Sequence, residues 1–409
     1  MFLSWKIAWR YFRGKRSANV VPILSRISMI ALAVGSGALI ILFSIFNGFE
    51  GLIKELYRAF YPPLKITSVQ GKFFSLAPET LAAVKRLEGI RFVTAVLEDN
   101  VLVQVGDEQQ VATLKGIDAH FLDVNNICPF IYTGADSVSS LPMPTALLGV
   151  QIAGHLGVDI NNPFARITAF YPNAALEKAS VNPQDAFRSV QLWPSGLFKI
   201  QDEFDGKYIL APLADVQQLF GQKGNYSSLE ISVAQGANVR SIKNKIAGLL
   251  GSRFSIATRY EQNKTLYMVM NAEKWAVYGI LVLVLLIASF NVVGALSLLV
   301  LEKQKDIAIL KTMGANSLMI RLVFLFEGVI WAMFGGGIGL LSGWLICLGQ
   351  QKYHWVKLQG SFIIDAYPVQ MQAGDFAVVA ITVCLIGMMA AWFPARKAGR
   401  LHEVSLRSD

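Results

Sequence analysis

The sequence predicts an α-helical membrane protein: four transmembrane helices, with an external α+β domain inserted between the first and second. Three observations predict it. The chain is 54% hydrophobic and only 16% charged, where a soluble domain carries about 25% charged residues. Four stretches, 27–49, 275–301, 328–351 and 376–395, contain no Asp, Glu, Lys or Arg. The net charge of +9 is concentrated in three short segments outside those stretches.

The four stretches are 23, 27, 24 and 20 residues long. A spanning helix needs roughly 20 apolar residues to cross a ~30 Å hydrocarbon core, and a buried core helix rarely keeps more than about 14. The first stretch exceeds the ~7–15 apolar residues of a signal peptide. Its exit, "FSIFNGFEG", offers no small-x-small cleavage site, so it reads as an uncleaved anchor.

Charge then orients the spans. Residues 1–26 hold six basic residues and no acid. Residues 302–321 hold four basic and two acidic, as does the tail 396–409. The long segment 50–274 and the connection 352–375 are each balanced. The positive-inside rule assigns the first three to the cytoplasm and the last two to the outside. The high basicity thus follows topology and calls for no nucleic acid. Cys128 is the one cysteine of the external segment, which is long enough to bury a core without a disulfide.

The expected order is a cytoplasmic basic segment (1–26), transmembrane helix 1 (27–49), an external domain with helical stalks (50–274) and helix 2 (275–301). A cytoplasmic loop (302–321), helix 3 (322–351), an external connection (352–375), helix 4 (376–395) and a cytoplasmic tail (396–409) follow. "FEGLIKELYRAF" places Phe49, Leu52, Ile53, Leu56 and Phe60 at helical spacing, so helix 1 continues outward until Pro62 and Pro63 stop it. "LKITSVQG", "APETLAAVKRLEG" and "RFVTAVLEDNVLVQVGDEQQVATLKGI" read as strand, helix and hairpin, and "YSSLEISVAQGANVRSIKNKIAGLLGSRFSIAT" repeats strand-helix-strand. The pieces 64–117 and 206–257 are expected to pair, leaving 118–205 as an inserted subdomain. Residues 171–190, with two prolines and two asparagines, read as a protruding loop. In span three, Gly335, Gly339 and Gly343 recur every fourth residue, a smooth face for helix packing.

Catalytic signatures are missing. No G-x-x-x-x-G-K-S/T phosphate loop occurs, and "VGSGA" is not a serine nucleophile elbow. His120, His155, His354 and His402 fall in separate segments, without metal-ligand spacing. The adjacent acids Glu98–Asp99 and Asp202–Glu203 read as solvated turns. Glu327, just after Arg321 at the start of span three, is expected to snorkel to the interface or pair with that arginine. The chain is therefore expected to be neither an enzyme nor a holder of its own cofactor.

The segment "EKQKDIAILKTMG" (302–314) interrupts two apolar spans. At 100° per residue, Glu302, Asp306, Ile309, Leu310 and Met313 share one sector, with Ile307 and Gly314 at its edge. Aliphatic anchors beside carboxylates suit docking into a groove on a cytoplasmic protein.

Several segments resemble one family. "LEKQKDIAILKTMGANSLMIRLVFLFEGVIWAMFGGGIG" and "WFPARKAGR" are similar to the permeases shared by cell-division, macrolide-efflux and lipoprotein-releasing ABC transporters. "IAWRYFRGKRSANVVPILSRISMIALAVGSGALIILFSIFNGFEGLIKELY", "FIIDAYPVQMQAGDF" and "TALLGVQIAGHLGVD" resemble the lipoprotein-releasing (Lol) branch.

The resemblance implies a non-catalytic, mechanotransmitting subunit in the bacterial inner membrane, with both termini cytoplasmic and the large domain periplasmic. A second permease chain, identical or paralogous, would pair with it. A separate cytoplasmic ATPase homodimer, binding ATP and Mg, would dock on 302–314. Lipoprotein cargo would leave the membrane lipid for a periplasmic chaperone, through a groove lined by Met29, Phe43, Phe46, Tyr278 and Leu285. A chaperone hook would involve Pro172, Asn173, Val181 and Pro183. The alternatives are a permease that regulates a cell-wall hydrolase, and an efflux permease working with a periplasmic adaptor.

Overall fold

The computed structural model describes residues 2–13, 20–140, 142–162, 164–173, 186–357 and 366–400. Its described residues divide into two compact units, residues 53–267 and the remainder.

The second of these is helical. A short amphipathic helix, α1 (Phe2–Arg13), precedes four long ones: α2 (Val20–Arg58), α10 (Lys264–Glu302), α12 (Ser317–Tyr353) and α13 (Ala373–Arg400). All four are long and apolar enough to cross a membrane. Each outruns its charge-free stretch. The backbone satisfies its own hydrogen bonds in a helix, so nothing ends these helices at the edge of the apolar run. Leu32, Leu39, Leu285, Leu296, Trp331 and Ile386 lie in the buried core of the bundle. Ile280, Leu283, Ile287, Leu341, Leu345, Leu385 and Met389 stay exposed on its outside, as side chains facing acyl chains would.

In residues 53–267, β1 (Leu64–Ser68), α3 (Pro78–Lys85) and β2 (Ile90–Val105) are matched by β9 (Ser228–Val233), α8 (Val239–Leu250) and β10 (Phe254–Thr258). The strands pair antiparallel in the order β10-β1-β9-β2. This is the split β-α-β arrangement of ferredoxin-like folds. Val84 of α3 and Ile242, Ile246 and Leu250 of α8 close a core over Leu64, Ile66, Val93, Leu229 and Ile231.

The rest of β2 belongs to a second core. It pairs with β3 (Glu108–Ile117) through a two-residue turn, Gly106–Asp107, in which Gly106 adopts φ +57. Positive φ at the first turn position is what a type II′ hairpin requires. Beyond β3 the sheet continues through β8 (Tyr208–Pro212), β5 (Thr145–Gly149), β7 (Phe187–Phe198) and β4 (Ile131–Gly134), while β6 (Ile167–Pro172) bridges β2 and β7. Helices α5 (Val150–His155) and α7 (Leu213–Phe220) cover it, with Leu97, Val103, Leu148, Ile152, Ile209 and Leu219 in one cluster; the short helices α4 (Phe121–Val124), α6 (Asp202–Asp205) and α9 (Arg259–Gln262) also belong to residues 53–267.

The expected insert, 118–205, is therefore drawn differently. The piece set into the split β-α-β unit runs from the second half of β2 to the residues before β9. It takes β3, β8 and α7 with it, and one sheet runs through both cores.

The far side of the first strands carries charge. Lys65 lies opposite Glu230, and Glu98 opposite Lys115. Lys115, 2% exposed, donates to Glu230 Oε1 at 2.8 Å. The other Glu230 oxygen accepts from Asn125, and Lys65 donates to Glu98 at 3.0 Å. The Lys115 ammonium also sits over the rings of Phe121 (4.9 Å) and Phe60 (5.5 Å). Burial alone would raise the Glu98 carboxyl, but Lys115 and Lys65 outweigh it and hold it at about 2, against an ordinary 4.5.

The two chain passages into this unit are tied together. Arg259 Nε donates to the Tyr61 carbonyl at 2.7 Å, and Gln262 donates to the Pro62 carbonyl at 3.1 Å. Phe60 stacks on Phe204 at 5.0 Å.

Two measurements test this network. Lys115→Met alone strands a buried carboxylate and is expected to destabilise the domain by ~3–5 kcal/mol, most of which Lys115→Met/Glu230→Gln should restore. Thermal unfolding of the purified chain in detergent would show it. Glu98, with its depressed folded value, stabilises fully above pH 4.5 and loses that contribution as pH falls toward about 2. Glu98→Gln should flatten the stability-versus-pH slope in that window.

Candidate functional site

Between α10 and α12 the chain forms α11 (Gln304–Thr312). The helix breaks at Lys303 and resumes at once. It ends because Gly314 takes φ +92, which lets its N–H reach the Lys311 carbonyl and the Ala315 N–H the Leu310 carbonyl. Asn316 then caps α12 by accepting from the Met319 N–H at 2.8 Å.

Three contacts seat α11. Ile307 is 3% exposed and belongs to the bundle core. Lys303 pairs with Asp306 at 3.3 Å and lies over the Tyr11 ring at 5.4 Å. Burial, then the carboxylates of Asp306 and Glu327, push the Tyr11 hydroxyl up to about 12. The opposite face is open: Ile309 is 56% exposed and Met313 78%. Glu302 ends α10, half-buried, and Leu310 is also half-buried. So the sector drawn on the wheel divides. Ile307, expected at the edge of a contact face, instead anchors the helix; Asp306 is half-buried and held by Lys303, while Ile309 and Met313 present outward.

The N-terminal segment was legible only as charge, yet α1 packs tightly on α12. Trp5 meets Phe326 edge-on at 5.5 Å and Phe12 stacks on Phe334 at 4.8 Å, with Ala8 fully buried. Alternating Trp, Tyr, Phe and Arg in "FLSWKIAWRYFR" is the signal of an interfacial helix. Glu327 departs from expectation as well. It is fully buried, and Trp331 Nε1 donates to it at 3.2 Å, so it does not snorkel.

The glycines of span three face α2. A Cβ at Gly335 would lie 2.8 Å from the Met29 carbonyl oxygen, and one at Gly339 only 1.9 Å from Ser36 Oγ and 2.2 Å from the Ala33 carbonyl oxygen. One at Gly343 would meet the Gly37 carbonyl oxygen at 3.0 Å. Three of the expected groove liners, Phe43, Tyr278 and Leu285, lie along the α2–α10 seam. A Cβ at Gly35 would strike Leu285, which is fully buried, and Phe43 stacks on Tyr278 at 5.6 Å. These side chains pack along the seam. Met29 and Phe46 are half-buried. Pro172 pairs with Phe187 at the base of a hairpin, and Asn173 N–H bonds the Ala186 carbonyl at 2.9 Å. Val181 and Pro183 lie outside the described residues. Among the described residues, no group of three His, Cys, Asp or Glu could hold a metal ion.

Four membrane-length helices, a helical loop between the second and third, and a large α+β unit set between the first and second define a transport permease. Residues 25–249 match the MacB-like periplasmic core domain and residues 278–402 the FtsX-like permease C-terminal domain. The chain belongs to this family of ABC transporter permeases.

It is 25% identical to the lipoprotein-releasing system transmembrane protein LolE of Haemophilus influenzae, over 98% of each chain. It is 23% identical to LolC of Neisseria meningitidis, over 97% of this chain and 96% of that one. An uncharacterized ABC transporter permease of Methanocaldococcus jannaschii matches at 23% over 98% of this chain and 97% of its own. The crystal structure of the periplasmic region of MacB from Actinobacillus actinomycetemcomitans covers 53% of this chain and 98% of its own, at 12% identity and a TM-score of 0.37.

The glycine contacts make a paired test. Gly339→Ala is expected to destabilise the bundle by ~1–3 kcal/mol, because α2 must retreat. Gly337→Ala, where a Cβ meets nothing within 4 Å, should be tolerated. Melting of both variants in detergent would compare them.

Proposed function

We propose that this chain is the permease half of an ATP-driven transporter that extracts lipoproteins from the inner membrane and hands them to a periplasmic chaperone. The observation that carries the reading is the end-to-end similarity to LolE and LolC, which spans the membrane helices and the external domain together. The cell-wall and efflux alternatives share the layout, but the Lol relatives carry the named activity.

The proposed orientation places 1–26, 302–321 and 396–409 in the cytoplasm, where their excess of Lys and Arg belongs. ATP and Mg would be bound by a partner ATPase homodimer. Ile309 and Met313 of α11 would enter its surface groove and Asp306 would set the register, while buried Ile307 carries the resulting force into the bundle. A second permease chain, identical or paralogous, would complete the membrane assembly. Acyl-chain burial is worth ~0.8 kcal/mol per CH₂, so removing a triacylated cargo from lipid requires coupled work. Pro172 and Asn173, with 174–185 beyond them, are the segment proposed to meet the chaperone.

Ile309→Asp/Met313→Asp alters exposed positions only. It is expected to cut co-purification of the ATPase and cargo-stimulated ATP hydrolysis at least ~10-fold, a loss of about 1.4 kcal/mol or more in docking. Unchanged ATPase retention would remove α11 as the docking element. Depletion of the protein should strand lipoproteins in the inner membrane; normal outer-membrane lipoproteins would rule out the cargo assignment.

A further inference from the structure

Toward the Arg58 end of α2, a polar cluster ties three helices together across the α2–α10 seam. Lys274 of α10 donates to Asn47 Oδ1 of α2 at 2.7 Å. Its ammonium lies 3.9 Å from Asp375 Oδ1 in the first turn of α13. Asn47 Nδ2 in turn donates to the other Asp375 oxygen and to the Gln370 carbonyl at 3.4 Å. Asn47 is 1% exposed, so its amide has little access to water as a substitute partner.

The segment just before α13 fastens this cluster. Gln370 N–H donates to the Ser44 carbonyl at 2.9 Å. The Pro368 carbonyl lies so close to α2 that a Cβ at Gly48 would be 2.1 Å from it. Gln350 and Gln351 of α12 donate to the carbonyls of Tyr367 (3.4 Å) and Val369 (2.7 Å). Asp375 is thus presented from a backbone held by both α2 and α12.

Immediately along the seam the contacts are apolar or aromatic. The Lys274 ammonium lies over the Phe43 ring at 5.3 Å, Phe43 stacks on Tyr278, and Leu285 fills the space at Gly35. The Tyr278 hydroxyl meets Thr382 Oγ1 of α13 at 2.7 Å. Between helices in lipid, apolar packing gains little over lipid contact. Directional, charge-assisted bonds are therefore what favour the shut seam over the parted one.

We propose that Asn47, Lys274 and Asp375 are a latch that holds the α2–α10 seam shut, and that it opens to admit the acyl chains of an amphiphilic cargo between these helices. The identity of what enters rests on the lipoprotein-extraction reading; the latch does not. Lys274 and Asp375 are positioning residues: they set whether Phe43, Tyr278 and Leu285 contact each other or cargo.

The test uses the full chain in its complex, in phosphatidylethanolamine–phosphatidylglycerol vesicles, with Cys128, Cys347 and Cys384 replaced by Ala. Spin labels go on Val34→Cys of α2 and Leu283→Cys of α10, both exposed positions. The parent should give one short label-to-label distance. Lys274→Met and the near-isosteric Asp375→Asn should each raise a longer-distance population about 10-fold, and Lys274→Arg should return it toward the parent. Where Lys274→Met fails to accumulate, Asp375→Asn alone decides. Unchanged distances in the accumulating variants would overturn the latch. The distances are read without cargo, and lipoprotein release from the same vesicles is scored separately. A longer distance without any release by the parent would keep the latch and sink the cargo assignment; release with unchanged distances would do the reverse.

Discussion

Close backbone approach at Gly335, Gly339 and Gly343 is the constraint on which the helical bundle depends. A side chain at Gly335 or Gly339 would force the Met29–Ser36 stretch of α2 away from α12, and one at Gly343 would press on Gly37 and Ile40. Lipid tails are as apolar as leucine, so helices gain little by burying leucines against each other, and contact at small residues has to hold them. The same device recurs between α12 and α13, where Gly336 receives Val383, Gly328 receives Ala391 and Gly387 receives Ala332. Bulky side chains are then free to point outward, as Ile280, Leu341 and Leu385 do. With α12 fixed against α2 and α13, α1 finds a surface for Trp5 and Phe12, and α11 a pocket for Ile307.

Much of this was legible in the sequence, and the departures have physical reasons. The four spans were readable because a bilayer sets a minimum length for a charge-free run. The two strand-helix-strand units were readable because each carries its own turn and cap signals. The boundary of the inserted piece was not. β2 is one continuous strand, and nothing in its 16 residues marks Leu97 as the point where one core gives way to the other. Ile307 was misplaced because a helical wheel groups residues by angle without saying which side the bundle occupies. Glu327 looked interfacial because the charge-free run starts just after it. The helix itself starts at Ser317, so Glu327 lies nearly three turns inside. α1 was missed because its arginines were counted as charge rather than placed on a face.

The segments around "NGFE" and "AYPVQMQAGD" stand some 320 residues apart in the sequence. In the fold they are one contact. Gly48 is bare because Pro368 lies on it, Asn47 is polar because it bridges Lys274 and Asp375, and Gly51 has the Gln370 side chain 3.0 Å from where a Cβ would be. A transporter benefits from such a joint between helices proposed to separate. An apolar seam in lipid can slide or part by degrees, since lipid replaces each lost contact. A hydrogen-bonded joint is either made or broken, and that gives the seam two discrete states for a distant event to choose between.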